Sequence, residues 1–309
     1  MTFVRRYGTL FALVALIGVF AIASPAAFGN VGNLVNITQQ MALLSIVAIG
    51  ATLVMALGEF DLSVSAMVSF AGIAAVALFG VGLSMSAVFA LVLIACLAMG
   101  VVSGVLVAGF GVPSFIATLA FGTIVGGVTF WISGGATLFS SIPVAFRDLG
   151  RGALFGVPVP TLWLAATAAV FWLLLDHVEF GRRIYAIGGN REAARLAGLP
   201  VRRDMIAAFA LCAGLAGLAG LLLAARLGSA HPTGGGGFLL QAYAAVFLGQ
   251  TSFREGEPSV PGTLVGAAII AVAGNGLTIL GVPTFMQDLL TGGIIIAAVL
   301  VRNFGRIDR

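Results

Sequence analysis

The sequence predicts an all-α polytopic membrane protein, a single transmembrane domain over residues 1–309 with about ten spans and both termini in the cytoplasm. Three observations carry this. The 309 residues are 60% hydrophobic and 8% charged, at a mean hydropathy of +1.15, whereas a soluble domain is ~25% charged. Apolar runs long enough to cross a ~30 Å hydrocarbon core recur along the chain. Basic residues gather at the two ends and in short interior polar stretches, as cytoplasmic segments do.

On a ruler of about 20 residues per crossing, the spans fall in order. The first five are Thr9 to Ala27, Asn36 to Leu57, Leu62 to Phe79, Met85 to Phe110 and Ser114 to Ile132. The second five are Thr161 to Leu175, Met205 to Ala225, Phe238 to Leu248, Gly262 to Leu280 and Thr284 to Val301. An even count returns the C-terminus to the side of the N-terminus. Arg5 and Arg6 at one end and Arg302, Arg306 and Arg309 at the other put that side in the cytoplasm. Arg5 and Arg6 before an apolar run ending Ala21, Ile22, Ala23 also fit a signal peptide. Its removal would leave nine spans and part the two basic ends. The eighth span is about half a crossing long, so it reads as a broken element buried in protein.

All fifteen basic residues are arginine. A phosphate-binding loop ending GK[ST] and a Schiff-base lysine are thereby excluded, and the chain is not expected to hydrolyse ATP. The net charge of +4 is small and calls for no nucleic acid. Cys96 and Cys212 lie in apolar runs and read as small buried hydrophobes. His231 has no second histidine at ligand spacing, so no metal is expected.

Two polar interruptions stand out. Asp176 to Asp204 holds six of the fifteen arginines. Within it, Asn190 to Leu199 predicts one short amphipathic helix: Asn190 caps it, Glu192 meets its positive end, and Gly198 with Pro200 stops it. On the ten-span count this loop is cytoplasmic, as is the turn at Arg254. The second interruption is Gly58, Glu59, Phe60, Asp61. A carboxylate at the bilayer centre costs about 2.5 to 3.5 kcal/mol on insertion scales, so these two must be paired, hydrated or at an interface. A bend at Gly58 is expected. Asp61 with Ser63 either caps the next helix or belongs to a broken helix along a pathway.

Gln39, Gln40 and Asn275 are further polar residues inside spans and weaker pathway candidates, with Thr52, Thr118 and Gln287 beside them. Small residues four apart, such as Gly100 with Gly104, Ala216 with Gly220 and Gly262 with Gly266, predict close helix crossings within the subunit. Outside, Arg226 to Phe238 reads as a loop made flexible by Gly234 to Gly237. The longest external segment, about 133–160, carries Phe139, Phe146, Arg147, Asp148 and Arg151 and offers a surface for an extracytoplasmic partner or a solvated loop.

Taken in order, several stretches resemble the membrane permeases of bacterial ABC importers for ribose and related monosaccharides. They are Asn33 to Gln40 (NLVNITQQ), Ala48 to Ser63 (AIGATLVMALGEFDLS), Pro113 to Leu119 (PSFIATL), Ile132 to Thr137 (ISGGAT) and Gly181 to Val201 (GRRIYAIGGNREAARLAGLPV). Arg226 to Thr233 (RLGSAHPT), Ala244 to Ser252 (AAVFLGQTS) and Gly262 to Ala267 (GTLVGA) follow. Glu59 stands where the family usually has a glycine, and Leu239 and Gln241 where acidic residues are common.

The resemblance implies an inner-membrane permease that pairs with a second copy or paralogue and receives its sugar from a periplasmic binding protein. A cytoplasmic ATPase drives it, so ATP and magnesium belong to that partner and this chain has no cofactor of its own. It further implies that Glu192, Ala193, Ala194 and Gly198, flanked by Asn190, Arg195 and Leu199, form the segment that seats on the ATPase. Anionic lipid headgroups are the other expected partner of the arginines. The residues expected along the sugar's path are Gly58, Glu59, Asp61 and Ser63, with Gln39, Gln40 and Asn275. The rival expectation is a proton-coupled secondary transporter using Glu59, Asp61 or Asp288.

Overall fold

A computed structural model describes residues 2–139, 141–251 and 256–283, with 285–287, 289–290, 292–293 and 296 beyond them. Helix α1 (Thr2–Ala23) ends at Ser24, and a single turn, α2 (Pro25–Phe28), leads into α3 (Val31–Ala56). Then come α4 (Val64–Gly80), α5 (Met85–Phe110) and α6 (Ser114–Ser133). A short helix α7 (Val144–Arg151) and a two-residue hairpin, β1 (Ala153–Leu154) with β2 (Val157–Pro158), precede α8 (Val159–Asp176). Helices α9 (Glu179–Gly189) and α10 (Arg191–Leu196) follow, then α11 (Val201–Leu227), α12 (Phe238–Gly249) and α13 (Val260–Ile279).

Six of these are long and apolar enough to cross a membrane: α3, α5, α6, α8, α11 and α13. Gly8–Ala23 within α1, together with α4 and α12, are shorter apolar helices. The expected last span, Thr284 to Val301, lies largely outside the described residues, as do Arg254 and the C-terminal arginines.

Helices α3 and α11 form the centre. Every residue of α3 from Ala42 to Ala56 is buried, which suits a helix apolar on all sides. Helix α11 packs on α3, α4 and α5. Helices α5, α6 and α8 are as apolar but mostly exposed, with Trp131 82% and Ile94 61% accessible, a surface fit for lipid.

The small residues set the crossings. A Cβ on Gly100 would lie 2.6 Å from the Phe209 carbonyl oxygen, and one on Gly220 2.3 Å from that of Val68, so α11 meets α5 and α4 backbone to backbone. Gly266 does the same for α13 and α12, at 2.0 Å from the Ala245 oxygen. The expected close crossings are therefore within the subunit. Gly126 has open space around it. Both cysteines are buried and unpaired.

Three expectations need correction. The short helix expected at Asn190 to Leu199 forms as α10, but α9 precedes it within 176–204 and α11 begins at Val201, ahead of the expected Met205.

The segment 133–160, expected outside, is not wholly a free aromatic surface. Phe146 is fully buried and lies edge-on to Phe79 at 4.9 Å. Arg151 donates from Nε to the Arg226 carbonyl at 2.5 Å and from Nη2 to that of Leu227 at 2.7 Å, capping α11. Phe139 remains exposed.

The stretch between α11 and α12 does not hang outside as a flexible loop. His231, Thr233, Gly234, Gly236 and Gly237 are exposed, but the stretch is pinned at Gly235, which is buried and whose N–H donates to Ser69 Oγ at 2.9 Å. A Cβ there would fall 2.1 Å from the Ser65 oxygen, so glycine serves close approach to α4.

Candidate functional site

The polar residues collect in three places along the bundle. At one end, α9 and α10 lie across the ends of the spans. Asn190 caps α10, its Oδ1 accepting from Ala193 N at 2.9 Å, and Gly198 takes the left-handed conformation at φ +79° that releases the chain before Pro200. Ala194 is buried inward, whereas Glu192, Ala193, Arg195 and Gly198 face outward and Leu199 is half-buried. Leu196 is 79% exposed. The charge pattern alone did not single out this exposed leucine.

This pair of helices is tied to three separate parts of the bundle. Arg183 makes a side-on fork to Asp204 on the first turn of α11, Nε to Oδ2 at 2.6 Å and Nη2 to Oδ1 at 3.1 Å. It also reaches Glu179 at 2.8 Å. These hydrogen bonds, Asp204 first, hold the guanidinium above its ordinary pKa. Glu192, paired with Arg195 at 2.6 Å, has the same effect on Arg195. Tyr185 donates its hydroxyl to the Pro258 carbonyl at 2.7 Å, before α13. Arg191 pairs with Glu59, beyond the end of α3. At Gly188 the contact is closest: a Cβ there would sit 2.0 Å from the Ala56 carbonyl oxygen.

The second place is Gly58 to Ser63. The chain bends at Gly58, with φ +78°, then climbs into the bundle without helical hydrogen bonds. Its amides are satisfied by side chains, as lipid-depth backbone demands. Phe60 N donates to Ser114 Oγ at 3.2 Å and Leu62 N to Thr118 Oγ1 at 2.9 Å. The Tyr243 hydroxyl accepts from Asp61 N at 2.7 Å and donates to Asp61 O at 3.1 Å. Asp61 Oδ1 accepts from Ser63 N at 2.9 Å and Ser63 Oγ at 2.5 Å. Ser63 lies against Gly122, two turns beyond Ser114 on α6, so the segment runs along α6 into the bundle. Glu59 thus belongs to the end of the bundle, while Asp61 and Ser63 are fully buried inside it. Tyr243→Phe would orphan a buried amide at a cost of about 1–3 kcal/mol. A lowered thermal-unfolding midpoint in detergent, with Phe247→Leu as the apolar control, is the expected reading.

The third place is a cavity of about 530 Å³ toward the opposite end, between α1, α3, α11, α12 and α13. One wall is a fixed polar network: Asn36 Oδ1 accepts from Arg226 Nη2 at 2.8 Å and from Gln40 Nε2 at 3.2 Å. Gln241 faces it from α12, and Phe20 and Phe238 supply aromatic surface. Helix α12 has 12 residues, about 18 Å, so it is a half-span starting inside the bundle at this cavity. Gln39 is half-buried and outside the cavity lining. Asn275 is nearby but engaged, exchanging amide hydrogen bonds with Asn33 at 2.8 and 3.0 Å. Asp288 lies outside the described residues. Arg226 and Asn36 were not singled out in the sequence, because an arginine at a span's end reads as topology.

Comparison with known proteins places the chain in a family. Residues 33–299 match the family described as the permease component of the branched-chain amino acid transport system. The chain is 39% identical to the ribose import permease protein RbsC of Escherichia coli K12, over 97% of both chains. It is 35% identical to the Bacillus subtilis protein of the same name, over 96% of this chain and 92% of the relative. Against the L-arabinose ABC transporter permease protein AraH of Azospirillum brasilense it is 35% identical, over 99% and 90%. No solved structure matches. The chain therefore belongs to the branched-chain amino acid transport system permease family and is a membrane permease of the inner membrane.

Proposed function

We propose that this chain is the transmembrane subunit of an ATP-driven importer that carries a monosaccharide, ribose-like or another pentose, into the cell. Its relatives' names are those of ribose and arabinose permeases, and D-allose appears among them as well. The full account has ten spans with both termini cytoplasmic, a second copy or paralogue, and a periplasmic binding protein that delivers the sugar. A separate ATPase binds ATP and magnesium.

The observation that carries the reading is the attachment of α9 and α10 to the ends of α3, α11 and α13 at once. A rigid body seated on α10 and displaced by nucleotide would move three spans together. The exposed Leu196 and Glu192 are the surface it would grip. The sugar's place is the cavity beside Arg226, whose volume falls within the roughly 300–1,000 Å³ of small-molecule sites. Arginine and amide groups suit hydroxyls, and the phenyl faces of Phe20 and Phe238 suit the apolar side of a pyranose or furanose ring.

Glu192→Arg is expected to leave the protein inserted and to abolish transport-coupled ATP hydrolysis. Hydrolysis and uptake at wild-type levels would show that α10 is not the contact. The proton-coupled alternative has less to build on. Glu59 is paired with Arg191, and Asp61 accepts from Ser63 through Oδ1, its buried Oδ2 having no hydrogen-bond partner among the described residues.

A further inference from the structure

The same end of the bundle carries a groove of about 880 Å³ between the last turn of α5, α10 and the first turns of α11. Four arginines rim it, Arg191, Arg195, Arg202 and Arg203, against one carboxylate, Glu192. Arg191 and Arg195 are occupied by Glu59 and Glu192. Arg202 and Arg203 form no ion pair among the described residues. Arg202 lies over the end of α5, where a Cβ on Gly109 would be 2.9 Å from its Nη2.

The floor is apolar, made by Ala108 of α5 and Ile206 of α11. From Ala108 an apolar stripe continues along α5 through Val105 and Val101, at i, i−3 and i−7 on one face. Val105 and Ala108 are half-buried and Val101 is exposed. The groove therefore joins two uncompensated cations to a track along a bilayer-facing helix.

We infer that this groove binds an anionic phospholipid. Its phosphate lies between Arg202 and Arg203, and one acyl chain runs over Ala108 and Val101. An ATPase contact would account for the arginines but not for an apolar floor that continues down a lipid-exposed span. Two basic side chains at the membrane surface favour an anionic headgroup by roughly tenfold or more over a zwitterionic one. The groove shares Glu192 and Arg195 with α10, whereas the arginines that hold the phosphate, Arg202 and Arg203, belong to α11.

Native mass spectrometry of the detergent-purified chain tests this with phosphatidylglycerol and phosphatidylcholine at equal concentration. Retention of phosphatidylglycerol should exceed that of phosphatidylcholine about tenfold. Arg202→Gln/Arg203→Gln should remove the preference, and Arg202→Lys/Arg203→Lys should keep it. The lysine pair also checks that the site tolerates substitution should the glutamine pair fail to fold. Soluble glycerol phosphate should not displace the lipid, because the acyl track contributes. Equal retention of the two lipids by the wild type, or an undiminished preference in the glutamine variant, would overturn the inference. So would a glutamine variant that loses capture of the purified ATPase subunit while keeping its lipid preference.

Discussion

Replacing Gly188 by leucine should abolish ATP-driven uptake while the protein still inserts and folds. The side chain would begin 2.0 Å from the Ala56 carbonyl oxygen, and a backbone atom at the end of a buried helix has no rotamer by which to yield. Helix α9 must lift from α3, taking Arg191 away from Glu59 and Tyr185 away from Pro258. Overpacking of this kind costs about 1–3 kcal/mol locally, and the packing of α11 on α3, α4 and α5 is untouched by it. The neighbouring Gly189 has nothing within 4 Å of its would-be Cβ, so Gly189→Ala should transport like the wild type. The pair of variants, compared for uptake and for transport-coupled ATP hydrolysis in one vesicle preparation, separates lost docking from a general intolerance of substitution.

The second large effect is expected at Arg226. Its guanidinium is held toward the cavity by Asn36, so its direction is set before a ligand arrives. A hydrogen bond to a charged donor contributes about 1.5–3 kcal/mol, which corresponds to roughly tenfold to hundredfold in apparent affinity. Arg226→Ala should raise the KM for uptake by that factor and leave basal ATP hydrolysis in place. Arg226→Lys keeps the charge but loses the fork and should fall between the two. An unchanged KM with reduced protein in the membrane would make Arg226 a structural residue of the α11 end, and the cavity would lose its role.

Much of the membrane architecture was legible in the sequence, because hydropathy reports the one physical constraint that every span shares. Asn190 and Gly198 announced α10 through local capping chemistry, and Gly58 announced its bend through the need for positive φ. Helix α9 was hidden for a definite reason. Gly181, Gly188 and Gly189 weaken helix propensity, yet the first two are what let α9 press on the Leu175 and Ala56 carbonyls. Tertiary contact makes that helix, and a single sequence does not show it.

The polar residues divide the same way. Asn275 in a span looks like a pathway residue until Asn33, 242 positions away, is seen to satisfy it. Ser114 and Tyr243 look like ordinary span residues, and Thr118 like a pathway residue, until the amides of Phe60, Asp61 and Leu62 are placed beside them. The close contact of Gly235 with α4 was invisible because Gly234 to Gly237 spells flexibility and close packing with the same letters.

The central claim is that an external motor acting on α9 and α10 drives this chain. Vesicles containing the purified chain settle it most directly, with sugar uptake measured under an imposed pH gradient and, separately, with the binding protein, the ATPase and ATP supplied. The account predicts no uptake under the pH gradient alone and uptake that requires both ATP and the ATPase. Accumulation of sugar by the chain alone under the pH gradient would contradict it.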